Sequence, residues 1–405
     1  MAVSGSVTRP RGFRAAGGTC GIKDSGKPDL MLIAADVRCA AAAVFTTNRV
    51  VGAPVVVNRR HLAATAGRAR AIVCNSGVSN SATGAQGLRD AQAMCGAVAE
   101  RIGCAPDEVL VSSTGVIGRL LPMPKILRGI EALHGRLGRG PRVDAAAAAA
   151  IVTTDLTTKS ASRRLRLGGR TVSLGGIAKG SGMIAPNMAT MLVFITTDCA
   201  IAPRPLQAAL REATRVSFNR ISVDEHMSPS DTVLVLASGL AGNRSIARTG
   251  GRDHAAFVAA LTDLCRDLAY RIVSGGEGAT RVFRVRVRGA RSVEDADRIG
   301  RAIVNSPLVK TAVHGGDPNW GRIVTAAGYS GAAIRAERLS LSIGGMKVFE
   351  RGSPVAVTAA KRLAALMRRR EVTFTLDVGM GPASVEWLGC DLSRDYIAIN
   401  ADYTT

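Results

Sequence analysis

The sequence KGSGMIAPNMATML at residues 179–192 passes from a glycine-rich loop into an apolar run. Loops of this kind can present backbone amides to an anion, but by themselves they are a weak signal. The apolar continuation MLVFI at residues 191–195 is typical of a buried strand, and Thr190 stands at its start. The stretch therefore predicts a loop that delivers the chain to a buried strand at Thr190.

On both sides of this stretch, apolar runs of β character alternate with helical segments, which predicts a layered α/β (α+β) sandwich. Amphipathic spacing, alanine content and caps predict helices at residues 87–102, 145–150, 205–215, 254–273 and 292–304. Strands are predicted at 109–112, 233–236, 282–288 and 372–378. The last two alternate strictly and are expected to be antiparallel with one covered face, whereas 233–236 is expected to be buried on both faces.

Composition excludes two classes of protein. Of the 405 residues, 47% are hydrophobic and 21% are charged, which supplies a large core and does not fit a disordered chain. No uncharged apolar run reaches the roughly 18 residues that a membrane span requires. We therefore expect a soluble, cytoplasmic protein without a membrane partner.

The net charge of +22 comes from 53 basic and 31 acidic residues, and most of the basic ones are arginine. Such an excess is typical of nucleic-acid-binding proteins. Here the densest groups, at residues 163–170 and 368–370, contain no aromatic residues that could stack on bases. We therefore expect no nucleic-acid partner and assign the charge to solvated faces or to the attraction of small anions.

The eight cysteines and five histidines are widely spaced, and no CxxC pair or other metal-ligand spacing occurs. We expect no metal site and interpret the cysteines as reduced, buried thiols. Arg9, Arg11 and Arg14 could belong to a transit peptide, but the glycines at 17 and 18 would break a targeting helix. The start of the chain is therefore predicted to be part of the fold.

Thr190 has two interpretations. In the first, it is a β-branched residue that starts a strand. In the second, cleavage of the peptide bond between Ala189 and Thr190 frees an α-amine beside the Thr190 hydroxyl. An α-amine has an ordinary pKa of about 8, so it can act as the general base that a threonine hydroxyl otherwise lacks. The residues alone leave both interpretations open.

Further segments of the sequence help to decide between the two interpretations of Thr190. In chain order they are 12–17 (GFRAAG), 75–77 (NSG), 113–118 (STGVIG), 153–155 (TTD), 276–280 (GEGAT), 317–322 (DPNWGR) and 399–403 (INADY). Each is modest evidence alone. In this order, together with residues 179–192, they cover nearly the whole chain, which resembles the glutamate N-acetyltransferase (ornithine acetyltransferase) family of arginine biosynthesis.

The resemblance implies a self-processing enzyme. In the family, the precursor cuts itself before the threonine of the ATML motif, here between Ala189 and Thr190. The products are segments 1–189 and 190–405, and the family assembles them as heterotetramers of two copies of each. The implied fold stacks sheets between helical layers, like the N-terminal-nucleophile hydrolases but with distinct connectivity. No cofactor is implied, because the acetyl group passes through Thr190 itself.

The resemblance also implies the chemistry. Thr190 takes the acetyl group from N2-acetyl-L-ornithine, ornithine leaves, and L-glutamate accepts the group. Some members also use acetyl-CoA, and no residue pattern in this sequence decides whether this chain does. The implied oxyanion hole is Thr114 with Gly115. The implied substrate-binding residues are Thr153, Lys179, Thr190, Glu277, Asn400 and Thr405.

Side-chain chemistry agrees with two of these roles. Both substrates carry an α-carboxylate that the Lys179 ammonium can pair with, and the side-chain ammonium of ornithine suits Glu277. Asn400 and Thr405 lie at the chain end, where fraying is common. Since the resemblance nevertheless gives both a role in substrate binding, we expect that deleting the last few residues abolishes activity.

The chain departs from the family pattern in four places. The usual loop VDGDTST is Val223-Asp-Glu-His-Met-Ser-Pro229 here, and an expected Asp-Gly-Glu is Gly275-Gly-Glu277. Arg281 replaces a usual lysine, while Val78 and Ala82 replace the more usual Asn and Cys. We expect the acetyl chemistry to survive these changes. Their expected effect is on substrate preference or on subunit contacts.

Two other functions stay open. A self-cleaving hydrolase, such as an aminopeptidase or amidase, would use the same nucleophile but let water resolve the acyl-enzyme. A non-enzymatic basic binding protein that has kept the fold would explain the charge and the altered loop.

Overall fold

The computed structural model describes residues 6–185, 191–356 and 359–402. Its β-strands are β1 Phe13–Gly18, β2 Leu30–Phe45, β3 Arg68–Val78, β4 Val109–Val116, β5 Lys159–Leu167, β6 Arg170–Lys179, β7 Leu192–Thr197, β8 Ile221–Ser222, β9 Thr232–Ala237, β10 Val282–Ala290, β11 Ser340–Ile343, β12 Met346–Glu350, β13 Ser353–Pro354, β14 Glu371–Asp377 and β15 Ala383–Cys390.

The α-helices connect and cover these strands. They are α1 Ala53–Ala64, α2 Gly84–Ile102, α3 Met123–His134, α4 Pro141–Ile151, α5 Pro203–Arg215, α6 Arg252–Ser274, α7 Val293–Asn305, α8 Pro307–Gly315, α9 Trp320–Gly328, α10 Ala360–Met367 and α11 Arg394–Asp402. Short 3₁₀ turns occupy Pro106–Glu108, Phe218–Arg220 and Ala336–Arg338.

The predicted elements are present, with ends moved by a few residues. The helix predicted from Pro205 begins at Pro203, because either proline fits the first turn. The cap predicted at Ser292 is confirmed: its hydroxyl accepts the amide of Asp295 at 3.1 Å, and α7 follows. Strand β9 is buried along its whole length, as expected of 233–236.

One sheet carries the residues of interest, and its strand order is β4-β3-β2-β9-β7-β6-β5, with β1 paired to β2. Strands β4 and β6 are five steps apart in this order, or about 24 Å in a flat sheet at about 4.8 Å per step. Yet the Nζ of Lys179 at the end of β6 lies 3.3 Å from the hydroxyl oxygen of Thr114 on β4. The sheet must therefore curl over until its two halves face each other.

The long strand β2 makes the curl. It pairs with β3 through residues 30–34 and again at 39–40, and it pairs with β9 through 40–45. Its ladder with β3 shifts between Ala34 and Cys39, which is the irregularity expected where a strand bends. The two ends of β2 thus belong to the two facing halves of the sheet.

Helices form layers on both outer faces of the curled sheet. Helices α5 and α6 pack on the half that contains β5, β6, β7 and β9, and α1, α2 and α3 pack on the half that contains β3 and β4. Alanine-rich α4 shares an inner core with both halves, through Ala147, Ala148, Ala150 and Ile151. The prediction of stacked sheets between helical layers is confirmed.

The second sheet has the strand order β13-β12-β11-β14-β10-β15-β8 and packs against α7, α8, α9 and α10. Here the expectation for residues 282–288 and 372–378 needs a correction. Strand β10 runs parallel to β14 and antiparallel to β15, while β14 is antiparallel to β11. Alternation reports which face is covered, as it does here, but it carries no information on the direction of the neighbouring strand.

The start of the chain is packed into the fold from residue 6 onwards. Asp144 on α4 accepts the amides of Ser6 and Thr8, and Asp198 accepts the amide of Arg11. The interpretation of these arginines as part of the fold is thereby confirmed. All eight cysteines are free. Among the described residues, no helix is long and apolar enough to cross a membrane, and no group of three His, Cys, Asp or Glu side chains could hold a metal.

We predict that Gly17→Ala destabilises the fold. A Cβ at Gly17 would lie 2.1 Å from the backbone oxygen of Ala146 on α4, so helix and strand must separate. The free energy of unfolding should fall by about 1–3 kcal/mol, the usual cost of overpacking. The matched control is Gly96→Ala inside α2, where a Cβ meets nothing within 4 Å and should stabilise the helix by about 0.5–1 kcal/mol. Thermal unfolding midpoints that move together in both variants would contradict the packing argument.

Candidate active site

The ends of several elements meet around one cavity of about 170 Å³. Strand β6 contributes Lys179, strand β4 contributes Thr114 and Gly115, and six connecting segments together with α11 complete the wall. The lining residues are Ser79, Thr114, Gly115, Ile117, Thr153, Thr154, Lys179, Gly182, Met183, Ser228, Pro229, Ser230, Glu277 and Asn400. The predicted oxyanion pair and four of the predicted substrate-binding residues therefore share a single cavity.

Lys179 is the buried cation of this site. Only 2% of the residue is exposed, and its Nζ donates a hydrogen bond of 3.3 Å to the Thr114 hydroxyl oxygen. Burial lowers the pKa of the Lys179 ammonium, while the nearby carboxylate of Asp155 opposes that shift. An ammonium has three donors, and among the described residues Thr114 is the one hydrogen-bond partner of this Nζ. The group is thus a cation with donors to spare for an anion in the cavity.

Asp155 supplies the counter-charge. Its carboxylate accepts the amides of Gly180 at 2.8 Å and Thr153 at 3.3 Å, and it forms a buried ion pair with Lys159. Burial alone would raise the pKa of Asp155, but Lys179, Lys159 and the Gly180 amide outweigh burial and hold the pKa below its usual 3.8. Asp155 therefore stays ionised and ties the end of β6 to the segment that carries Thr153.

Gly115 stands where a side chain does not fit. Its φ is +131°, and an added Cβ would lie 2.2 Å from the carbonyl carbon of Gly77 on β3. The β3–β4 ladder shifts at Gly77 and Val78, so strand pairing is irregular beside the cavity. Such an irregularity frees backbone groups from the ladder. This local geometry suits the predicted role of Thr114 and Gly115 as donors to an oxyanion.

Glu277 is the anion at the other side of the cavity. Its two carboxylate oxygens accept from the Thr154 hydroxyl at 2.6 Å and from the Asn400 amide at 3.1 Å. Its backbone amide donates to the carbonyl of Ser181 at 3.0 Å. Gly182 allows this approach, because a Cβ there would lie 2.3 Å from a Glu277 carboxylate oxygen. Two separate segments therefore hold the carboxylate, and a third holds the backbone of the same residue.

Three of the predicted residues, Ala189, Thr190 and Thr405, lie outside the described residues. The first described residue after Thr190 is Met191, which is buried and whose amide donates to the Asp231 carboxylate at 3.0 Å. The next residue, Leu192, pairs with Lys179 across β6 and β7. In the sequence, residue 190 is thus two positions before Leu192, the residue that pairs with Lys179.

The departures from the family pattern fall partly at the cavity. Of the altered loop, Ser228 and Pro229 line the wall, whereas Glu225 points outward to Arg301 at 3.5 Å. Arg281 donates to the backbone carbonyls of α8, away from the lining residues. The altered loop is therefore the departure that touches the site directly.

Three residues that matter here were not predicted as site residues. Thr154 and Asp155 lie in the motif at 153–155, so the motif was a signal, although only its first residue was assigned a role. Asp231 has no local signal in the sequence, because a single aspartate before an apolar strand is common. Its importance comes from burial beside Met191, which only the fold shows.

Comparison with known proteins gives consistent matches. A model of the ArgJ family matches residues 14–405. The arginine biosynthesis bifunctional protein ArgJ of Symbiobacterium thermophilum is 48% identical over 405 residues, which cover 100% of this chain and 99% of the relative. The protein of the same description from Chlorobium chlorochromatii is 49% identical over 395 residues, covering 97% and 90%. A crystal structure of arginine biosynthesis bifunctional protein ArgJ from Bacillus halodurans has a TM-score of 0.50 and 39% identity, and covers 52% of this chain and 98% of that chain.

We predict that Asp155→Asn destabilises the protein by about 3–5 kcal/mol at neutral pH, because two buried lysines lose their counter-charge. The folded-state pKa of Asp155 is lowered, so its stabilising contribution is present above the unfolded pKa of about 4 and is lost as the pH falls below it. Denaturant unfolding at several pH values measures both effects.

The control is Asp36→Asn, which removes a half-exposed carboxylate paired with Arg14 and Arg139. Surface pairs contribute about 0–1 kcal/mol, so this variant should unfold almost as the wild type does. Equal losses of unfolding free energy in the two variants would show that Asp155 does not balance the buried cations.

Proposed function

The chain belongs to the ArgJ family, and from that premise we propose that it is an acyltransferase of arginine biosynthesis. Its reaction moves the acetyl group of N2-acetyl-L-ornithine to L-glutamate and yields ornithine and N-acetylglutamate. The observation that carries the proposal is the cavity in which a buried cation, Lys179, and a fixed anion, Glu277, share one space beside Thr114 and Gly115.

The charges of the cavity match the donor substrate. N-acetylornithine carries a carboxylate at one end and an ammonium at the other. The Lys179 ammonium has spare donors for the carboxylate, and Glu277 is the acceptor for the ammonium. Glutamate brings a second carboxylate in place of the ammonium. The donors of Thr154 and Asn400 reduce the negative potential around Glu277, which lets the acceptor bind in the same cavity.

The proposed mechanism has two half-reactions. In the first, the Thr190 hydroxyl gives its proton to the α-amine freed by cleavage and attacks the acetyl carbonyl, and ornithine leaves with its amine protonated. In the second, the glutamate amine attacks the acetyl ester, and Thr190 recovers its hydroxyl. The same acetyl-enzyme could form from the thioester acetyl-CoA. The relatives' description as bifunctional supports such a second activity, and no cofactor is required in either case.

The contact between Lys179 and Thr114 has a role in this mechanism. Because the ammonium donates to the Thr114 hydroxyl oxygen, the hydroxyl proton of Thr114 is left to donate elsewhere. A cation on its oxygen also makes that proton a stronger donor. Each donor to an oxyanion typically lowers the barrier by about 3–4 kcal/mol. Lys179 thus supports both substrate binding and the oxyanion hole.

Two segments produced by self-cleavage are part of the proposal, as is their assembly into a heterotetramer in the cytoplasm. The Bacillus halodurans chain is matched over 98% of its own length and covers 52% of this chain, which is close to the share of residues 190–405. A solved chain of about this length supports the proposal that residues 1–189 and 190–405 become separate segments. Strands β6 and β7 pair on either side of the cleavage site, so both segments would remain in one sheet after cleavage.

We predict that the products formed from N-acetylornithine distinguish the two activities: a transferase makes N-acetylglutamate, whereas a hydrolase makes acetate. With N-acetylornithine as donor, added glutamate should become N-acetylglutamate in step with the ornithine released. Thr190→Ala should lose the transfer activity entirely, because no nucleophile remains. Quantification of N-acetylglutamate and acetate by mass spectrometry checks this. Acetate formed at the same rate with and without glutamate would favour the aminopeptidase or amidase alternative.

We also predict that Glu277→Gln raises the KM for N-acetylornithine by about 10- to 100-fold, because a hydrogen bond to a charged partner loses its charge. The KM for glutamate should change less, since glutamate has no side-chain ammonium. Steady-state kinetics with each substrate varied in turn measures both. Glu212→Gln, which removes a half-exposed helix pair with Arg215, is the control and should leave both KM values unchanged. A larger change for glutamate would contradict the assignment.

A further inference from the structure

Two neighbouring cavities lie where α6 meets the exposed face of β10. The larger has a volume of about 560 Å³ and the smaller a volume of about 260 Å³. Both are lined by Arg220, Arg266 and Glu386, so the two cavities adjoin. None of their lining residues belongs to the candidate active site. We call the two cavities together the arginine cleft.

The smaller cavity is strongly cationic. Arg220, Arg266, Arg286 and Arg288 line it, against the single carboxylate of Glu386. Arg286 and Arg288 share the exposed face of β10, because the valine between them faces the core. Four guanidinium groups around one carboxylate repel one another, and a bound anion would relieve that repulsion.

The carboxylates of the cleft are already engaged. Glu386 accepts from Arg284 at 2.7 Å and from Arg286 at 2.8 Å, so one anion serves two cations. Arg220 pairs with Asp297 at 2.8 Å. These ion pairs hold guanidinium groups in the wall of the cleft without removing its excess of positive charge.

Two arginines of the smaller cavity are not engaged. Among the described residues, Arg266 and Arg288 have neither a hydrogen-bond partner nor an ion-pair partner. A guanidinium group has five donors in a planar fork, which matches two oxygens of a phosphate group. The smaller cavity therefore offers two free forks to an anion of this kind.

The larger cavity provides room for an organic group. Its volume lies within the range of about 300–1,000 Å³ that is typical of small-molecule sites. Buried Ala269 and Leu388 form an apolar part of its wall. Tyr270 lines it as well, and the guanidinium carbon of Arg284 lies 5.6 Å from the centre of the Tyr270 ring. Aromatic rings and arginine planes are the surfaces on which nucleobases stack.

The charges of the larger cavity are closer to balance. Its carboxylate of Asp267 accepts from Arg163 at 3.1 Å and from Arg271 at 2.6 Å. Asp263 also lines it and is exposed, so solvent and salt screen its charge. The excess of positive charge therefore lies in the smaller cavity, which gives the cleft a cationic end and a nearly neutral end.

We propose that the arginine cleft binds an adenine nucleotide or a ligand with the same adenosine phosphate group. The phosphates occupy the smaller cavity and accept from Arg266 and Arg288, and the base occupies the larger cavity beside Tyr270. The cleft shares no residue with the proposed catalytic machinery, so the inference goes beyond the proposed function and does not rest on it. Its arginines come from separate elements, and the densest arginine groups of the sequence therefore did not indicate it.

The test titrates ATP into the full-length protein by isothermal titration calorimetry, at an ionic strength of about 0.15 M to screen distant charges. The double variant Arg266→Ala/Arg288→Ala removes the two free forks and should weaken ATP binding about 10-fold or more, because hydrogen bonds to charged groups are lost. The matched control is Arg60→Ala/Arg142→Ala. It removes two exposed arginines outside the cleft that have no partner among the described residues, and should bind ATP as the wild type does.

Two further titrations test the organic part. Tyr270→Ala should weaken the binding of ATP about 10-fold but leave the binding of inorganic tripolyphosphate unchanged, because the loss of a base–aromatic stack does not affect the phosphates. Coenzyme A carries the same adenosine phosphate group and is titrated in parallel. The probe that binds more tightly, and whose binding is weakened in the Arg266→Ala/Arg288→Ala variant, identifies the source of the phosphate.

Three results would overturn the inference. They are no binding of ATP or coenzyme A below about 1 mM, equal weakening in the two double variants, and tripolyphosphate binding as tight as that of ATP. Circular dichroism checks that the variants are folded. Should the Arg266→Ala/Arg288→Ala variant be unfolded, the thermal unfolding midpoint of the wild type decides, because a ligand of the folded state raises it. A midpoint that ATP raises no more than tripolyphosphate does would then overturn the inference.

Discussion

The burial of the Lys179 ammonium between the ends of β6 and β4 is the constraint on which the site depends. A lone buried cation would be costly, and Asp155 makes it tolerable by remaining ionised beside it. The hydrogen bond from Lys179 to Thr114 joins strands that are five places apart in the sheet order. The curl that β2 makes in the sheet brings Thr114 to this charge, and the cavity and the polarised hydroxyl of Thr114 lie where the two halves of the sheet meet.

Local elements of this fold could be predicted because their signals are local. Amphipathic spacing located α2 and α6, Ser292 located the start of α7, and unbroken apolar runs located buried strands such as β9. The site residues came from a resemblance that extends over the whole chain, and the structure brings the described ones together. Chemistry alone would have left Lys179 and Glu277 among many surface charges.

Other features could not be predicted, because they depend on residues far apart in the chain. Strand β10 pairs in parallel with β14 after a connection of three helices, three strands and a fourth helix, α10, and alternation within a strand does not report the direction in which the chain returns. Gly182 matters only because Glu277 comes within reach of its missing Cβ. Asp231 matters because it is buried against Met191. In each case the decisive partner is about 40 to 95 residues away, beyond the range of a sequence pattern.

We propose above all that the acetyl group passes through Thr190, two residues before β7 in the sequence, while Lys179 and the oxyanion hole proposed at Thr114 and Gly115 act on the substrate. The most direct measurement incubates the protein with N-acetylornithine in the absence of glutamate, quenches it with acid and maps the acetylated residue by mass spectrometry. We predict one acetyl group on Thr190, which disappears when glutamate is added before quenching. An acetyl group on another residue, or none while transfer proceeds, would contradict it.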